Sequence, residues 1–239
     1  MKKILVLLTA AIILAGCADI TIGLKVTKDE VLWKNNILEF STPRTAYQGD
    51  MNHNPALKVK LTYMDGRNIN MPIDQLGLGY GASCPKGTIG LYKPENGIDK
   101  AEILDLTENR MVIHIGYKSW NIQDVAVTLD KQITMYKDIP FMSVIDYYTG
   151  QFDTLNVVAG LTTAGVGEVK EIKNGYSIKY PYGVTAVIVM PQSDEKTVDD
   201  TFMQVLTGKK VTDNEPLRYY IGISDKGEEY LLEKIANIL

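Results

Sequence analysis

Three side chains able to do chemistry fall within seven residues of one another near the middle of the chain: His114, Lys118 and Trp120. Residues 110–120 are rich in β-branched and aromatic types, which predicts a strand. Alternate residues of a strand share a face. Val112, His114, Gly116, Lys118 and Trp120 are therefore expected on one side, and Met111, Ile113, Ile115 and Tyr117 on the other. An imidazole exchanges protons near neutral pH, an ammonium binds oxygen in a fixed direction, and an indole covers apolar C–H surface. Gly116 leaves room for something to approach the sheet. A second strand, residues 141–148, puts Met142, Val144, Asp146 and Tyr148 on one face. Asp146 is the carboxylate expected to partner His114 as a general acid or base. Tyr117 joins them only where a bulge re-aims it.

Rings over C–H faces with a few charged groups between them are what a sugar site needs. The catalytic candidates are thus His114, Asp146 and Tyr117, and the substrate-binding candidates are Lys118, Trp120 and Tyr148. The plain alternative is a satisfied, half-buried histidine and a solvated strand end. The adjacent carboxylates Asp199-Asp200 and Glu228-Glu229 read as solvated faces, since neither pair need converge on a cleft.

The elements that must position these groups are strands almost throughout. Residues 102–106, 110–120, 125–136 and 141–148 form consecutive runs split by short polar breaks, which predicts an antiparallel meander. Residues 31–40 read as a strand pair folded at Asn35-Asn36, and Asp65-Gly66 marks another hairpin. Asn174-Gly175 predicts a type I′ turn. Further strands fall at 157–162, 169–172, 176–180, 185–190, 201–207 and 217–223, with residues 192–200 as a polar loop. Ser224 is expected to cap one C-terminal helix, with Asp225 and Glu228 in its first turn and Tyr230, Leu231, Lys234, Ile235 and Ile238 at helical spacing. The expected fold is an all-β antiparallel sandwich with that single helix.

The glycine-rich passage Gly77, Gly79, Gly81, Gly87 and Gly90 lacks the strand-to-helix context and the Gly-Lys-Ser/Thr of a phosphate loop. It reads as tight turns, and no nucleotide or other cofactor is expected. His53 and His114 are too far apart to make a metal-ligand pattern. The formal net charge of −4, with no basic stripe, speaks against nucleic acid as a partner. Fourteen tyrosines against four phenylalanines favour wet, amphipathic surfaces.

The N-terminus supplies an address. Lys2 and Lys3 precede the apolar residues 4–13, broken by Thr9, and Leu14-Ala15-Gly16-Cys17 follows. That is the layout of a secretory signal peptide, and the tetrapeptide resembles the lipobox of bacterial lipoproteins. The resemblance implies acylation of Cys17, and several acyl chains on one residue suffice for stable anchoring. Ala18 and Asp19 then favour the outer membrane, on its periplasmic or cell-surface side. No later stretch approaches the ~18 apolar residues of a membrane span. Cys84 is the other cysteine, which leaves no internal disulfide in the mature chain. The organisation read from this is a lipoprotein signal peptide at 1–16, a lipidated tether or first edge strand at 17–30, and one sandwich domain at 31–239.

Several segments resemble a bacterial domain-of-unknown-function family, number 4861, found beside polysaccharide-degrading enzymes. They are Asp74-Gln75-Leu76-Gly77-Leu78-Gly79-Tyr80-Gly81, Ile89-Gly90-Leu91-Tyr92, Ile115-Gly116-Tyr117-Lys118-Ser119-Trp120, Val158-Ala159-Gly160-Leu161 and Tyr219-Tyr220-Ile221-Gly222. The resemblance implies a sandwich like that of the galactose mutarotases and a role in polysaccharide utilisation. It carries over no catalytic residue, because Glu39 and Arg44 are only loose stand-ins for an acid and an arginine of the family pattern. The reading is a lipid-anchored protein that acts on or binds an oligosaccharide or polysaccharide outside the cytoplasm, with hydrolase, lyase or epimerase chemistry left open. The alternative is a non-catalytic lipoprotein that binds glycan or a protein partner in a surface complex.

Overall fold

The computed structural model describes residues 22–44, 58–62, 68–70, 83–86, 94–163, 167–199 and 204–239. The expected signal peptide at 1–16, Cys17, His53, the expected Asp65-Gly66 turn and most of the glycine-rich passage lie outside them. Among the described residues there are three antiparallel sheets and one α-helix.

The first sheet has five strands in sequence order: β1 (Gly23–Val26), β2 (Glu30–Lys34), β3 (Leu38–Pro43), β4 (Lys58–Thr62) and β5 (Asn68–Asn70). The β2–β3 turn is held by Asn35. Its carbonyl oxygen accepts from the backbone N–H of Ile37 and Leu38 at 2.9 and 2.7 Å, while its amide donates to the carbonyls of Tyr136 and Ile139. One side chain thereby closes a hairpin and ties it to the neighbouring sheet.

A short β6 (Ser83–Pro85), which carries Cys84 opposite Val158, belongs to a four-stranded sheet. The large sheet begins with the meander β7 (Ile98–Leu106), β8 (Arg110–Ile122), β9 (Val125–Tyr136) and β10 (Phe141–Gly150). After β11 (Leu155–Thr162) come β12 (Glu168–Ile172), β13 (Gly175–Lys179), β14 (Thr185–Val189), β15 (Glu195–Asp199), β16 (Gln204–Val211), β17 (Pro216–Ser224) and α1 (Glu228–Ala236). The eight-stranded order is β12-β13-β14-β17-β10-β9-β8-β7, and the four-stranded order is β15-β16-β11-β6.

Apolar residues of all three sheets join one core. Trp33, Phe40 and Leu61 come from the first sheet, Val157, Leu161, Val205 and Val211 from the four-stranded one, and Ile113, Ile133, Val144 and Ile221 from the eight-stranded one. The eight-stranded sheet is thus one layer of a sandwich, and the two smaller sheets pack on its inner face. Its outer face carries α1, whose Leu231 and Ile235 pack with Phe141, Val187, Val189 and Tyr220. A Cβ at Gly222 would stand 3.0 Å from Leu231, so glycine there lets the helix approach the sheet.

Three local expectations are corrected. Residues 192–200 are not all loop, because β15 lies within them as the exposed edge of its sheet. Polar alternation hid it, with Val198 facing solvent. Ser224 does not cap the helix: it ends β17 and accepts from the N–H of Lys226, while Gly227 at φ 85° opens the helix. The loop of the β12–β13 hairpin is Lys173-Asn174, because Ile172 pairs with Gly175. Asn174 alone takes the positive φ, at 62°. Gly175 is needed for another reason: a Cβ there would lie 1.9 Å from the Ile188 carbonyl oxygen.

Candidate functional site

Strand register divides the six predicted site residues between the two faces of the eight-stranded sheet. On β8, Met111, Ile113, Ile115 and Tyr117 face inward and are buried. Tyr117 stands opposite Leu129, but Trp120 stands opposite Val127. Three steps along β8 thus match two along β9, which is a β-bulge at Lys118-Ser119. The extra residue turns Trp120 to the inner face, where it is 2 % exposed and meets Tyr148 edge-on at 6.5 Å. The expected set of His114, Lys118 and Trp120 on one face is therefore not formed. Tyr117 stays inward, and it is Trp120 that the bulge re-aims to join it.

Asp146 is also inward, so its expected pairing with His114 is not formed. In a period-two strand no rotamer carries a side chain through the sheet. Reading across β8, β9 and β10, the inner face is built in rows: Trp120, Val127 and Gly150; Tyr117, Leu129 and Tyr148; Ile115, Lys131 and Asp146; Ile113, Ile133 and Val144; Met111, Met135 and Met142. The last two rows are apolar throughout, and the first three hold every polar group. One end of the inner face is thus polar and aromatic.

Lys131 and Asp146 are the one buried cation and the one buried acid among the described residues, each with no exposure. The Lys131 ammonium donates to both Asp146 oxygens at 2.5 and 2.6 Å and to the Tyr219 hydroxyl at 2.9 Å. Tyr219, from the next strand, donates in turn to Asp146 at 3.0 Å. The ammonium thus meets three acceptors within the triad, and the Lys131 and Asp146 charges balance one another. The indole N–H of Trp120 is different: it is buried and has no acceptor among the described residues.

The outer face holds His114 and Lys118. His114 reaches diagonally across Gly116 to Asp130, with Nε2 2.8 Å from Oδ1, and its Nδ1 is 3.7 Å from Glu102. The hydrogen bond from Lys100 holds the Glu102 carboxyl below its ordinary value, and His114 adds to the pull. Lys118 is exposed. The row is open to solvent, with Asp130 at 55 % side-chain exposure. It sets an imidazole beside a carboxylate that water reaches. No group of histidine, cysteine and carboxylate side chains among the described residues could hold a metal ion.

Sequence reasoning missed Lys131, Tyr219 and Asp130. A signal for Lys131 was present: it occupies an inward position in the alternation Val127, Leu129, Lys131, Ile133, Met135, where a lone lysine requires a buried partner. Asp130 could be found only by pairing β8 with β9 in register. Of the acidic pairs, Glu228 is bridged to Lys170 at 2.6 Å on the surface.

No family model and no curated protein matches the chain. Solved structures do. Heparan sulfate lyase HepC from Pedobacter heparinus is similar at a TM-score of 0.50 and 12% identity, over 84% of this chain and 36% of the lyase. The likeness is one of fold. Heparinase III matches at 0.48 and 12%, over 85% of this chain and 36% of that one. The 4-alpha-glucanotransferase from Thermococcus litoralis matches at 0.41 and 10%, over 86% and 40%. The chain spans between a third and two fifths of the length of these proteins.

Proposed function

We propose that this is a lipid-anchored protein, acylated at Cys17 and held at the outer membrane, that engages oligosaccharide or polysaccharide through the polar end of its inner face. The observation that carries the reading is the gathering of Tyr117, Trp120, Lys131, Asp146 and Tyr148 in the first three rows, with the Tyr219 hydroxyl reaching Asp146 from its place beside Val144. A buried ion pair adds little to stability compared with apolar residues of the same volume. Ionisable groups gathered beside aromatic rings are what a polar ligand with apolar faces requires. The sandwich fold shared with a heparan sulfate lyase and the resemblance to the polysaccharide-associated family 4861 agree with a glycan as partner. Binding is favoured over acid–base catalysis, because His114 and Asp146 stand on opposite faces. All six side chains are almost wholly buried, so the reading requires the ligand to enter between the layers at that end.

The test uses the full chain in detergent micelles against a panel of glycan fragments, with binding and turnover read together. The double variant Lys131→Met with Asp146→Leu keeps volume and removes both charges. Retained melting behaviour with lost glycan binding supports the reading, and unchanged binding overturns it. Mass spectrometry of the chain from bacterial membranes checks the anchor: the expected species begins at Cys17 and carries acyl chains.

A further inference from the structure

The inner-face cluster contains a donor that no described residue accepts from and a cation whose charge Asp146 balances. Trp120 is turned inward by a bulge, yet its N–H is left without an acceptor among the described residues. Burying such a donor unpaired costs about 1–3 kcal/mol. Lys131, by contrast, donates to Asp146 and Tyr219, and the Asp146 carboxylate balances its charge. Resting on the glycan reading above, we infer that the site takes an uncharged sugar residue, one of whose oxygens accepts from the Trp120 indole N–H.

Charge arithmetic argues the same way. A buried carboxylate or sulfate needs a cation of its own, and among the described residues no second buried cation exists. Arg110 and Lys100 pair with acids at the surface, on Asp105 and Glu102. Arg44 bonds the Thr27 carbonyl, and Lys86 pairs with Glu195. The segments 45–57, 63–67, 71–82, 87–93 and 200–203 contribute Arg67 and Lys93 against Asp50, Asp65, Asp74 and Asp200. A sulfated or uronate polymer would therefore meet an acidic protein of net charge −4. A neutral hydroxyl or ring oxygen needs only a donor, and the indole is one. Tyr148, edge-on to that indole, supplies apolar surface beside it.

The sequence makes the test clean, since the chain has two tryptophans. Trp33 also has an unpaired buried N–H, but it stacks on Phe40 in the first sheet and serves as an internal control. The full chain in detergent, labelled at the indole nitrogens, is titrated with neutral oligosaccharides and with uronate-containing and heparan sulfate fragments, at low and high salt. We expect neutral fragments to bind with affinity insensitive to salt, shifting the Trp120 indole signal and leaving that of Trp33 in place. Trp120→Phe should weaken that binding about tenfold, the loss of one hydrogen bond. Preferential binding of the anionic fragments, falling steeply with salt, overturns the inference while leaving the glycan reading standing. Neutral binding that leaves the Trp120 signal unmoved also overturns it. Binding of neither class overturns the glycan reading itself.

Discussion

Lys131 and Asp146 face each other across β9 and β10 at 2.5 Å with no solvent exposure on either side. Breaking such a pair leaves one charge buried alone, and removing both leaves none. Lys131→Met and Asp146→Asn should each lower unfolding free energy by about 3–5 kcal/mol. The double Lys131→Met/Asp146→Leu variant should lie close to the parent. Denaturant midpoints for the three variants measure this. Additive losses in the double variant would show that the pair is not the energetic unit described.

His114 should matter far less to the fold. Its contacts with Asp130 and Glu102 lie on the outer, solvated face, where an ion pair contributes about 0–1 kcal/mol. His114→Ala is expected to shift stability within that range and to leave glycan binding unchanged. Lost binding with an unchanged melting curve would move the site to the outer face.

Alkaline stability should be limited by Tyr180. Burial pushes its phenol well above the ordinary value near 10, and its hydroxyl donates to the Thr162 carbonyl. A raised folded-state pKa contributes stability that is complete below the unfolded pKa. That contribution is lost as pH rises from about 10 toward the folded value, because only the unfolded chain then releases the proton. Tyr180→Phe should cost about 1 kcal/mol at pH 8 for the hydrogen bond and show a flatter decline above pH 10. Urea titrations at pH 8, 10 and 11 on both proteins decide it. Parallel pH profiles would contradict the assignment.

Gly175→Ala tests the hairpin. Its methyl would fall 1.9 Å from the Ile188 carbonyl oxygen, so β13 must move away from β14. A loss of about 1–3 kcal/mol is expected, the usual cost of overpacking. A melting temperature equal to that of the parent would mean that the strands are not so closely apposed.

The meander was legible because β8 and β9 bury one face and alternate accordingly, from Met111 to Tyr117 and from Val127 to Met135. Where burial was lopsided the pattern failed: β15 looked like a loop because its edge position exposes Val198. Ser224 has the composition of a cap, but backbone pairing with Thr185 keeps it in the sheet. The candidate site was legible as a list of residue types and not as an assembly. Tyr117, Trp120, Asp146 and Tyr148 do converge, but His114 and Lys118 belong to the other face.

By itself the sequence determined the all-β class, the antiparallel meander and the C-terminal helix, since periodicity and turn chemistry are local. Only tertiary structure decided which chemistry shares a face. One bulged residue at Lys118-Ser119 inverted the side on which Trp120 lies, and a bulge is set by pairing with the neighbouring strand. The partners of Asp146 came from β9 and β17, 15 and 73 residues away. Contacts of that range are made by sheet order and register, which a single strand's pattern does not contain.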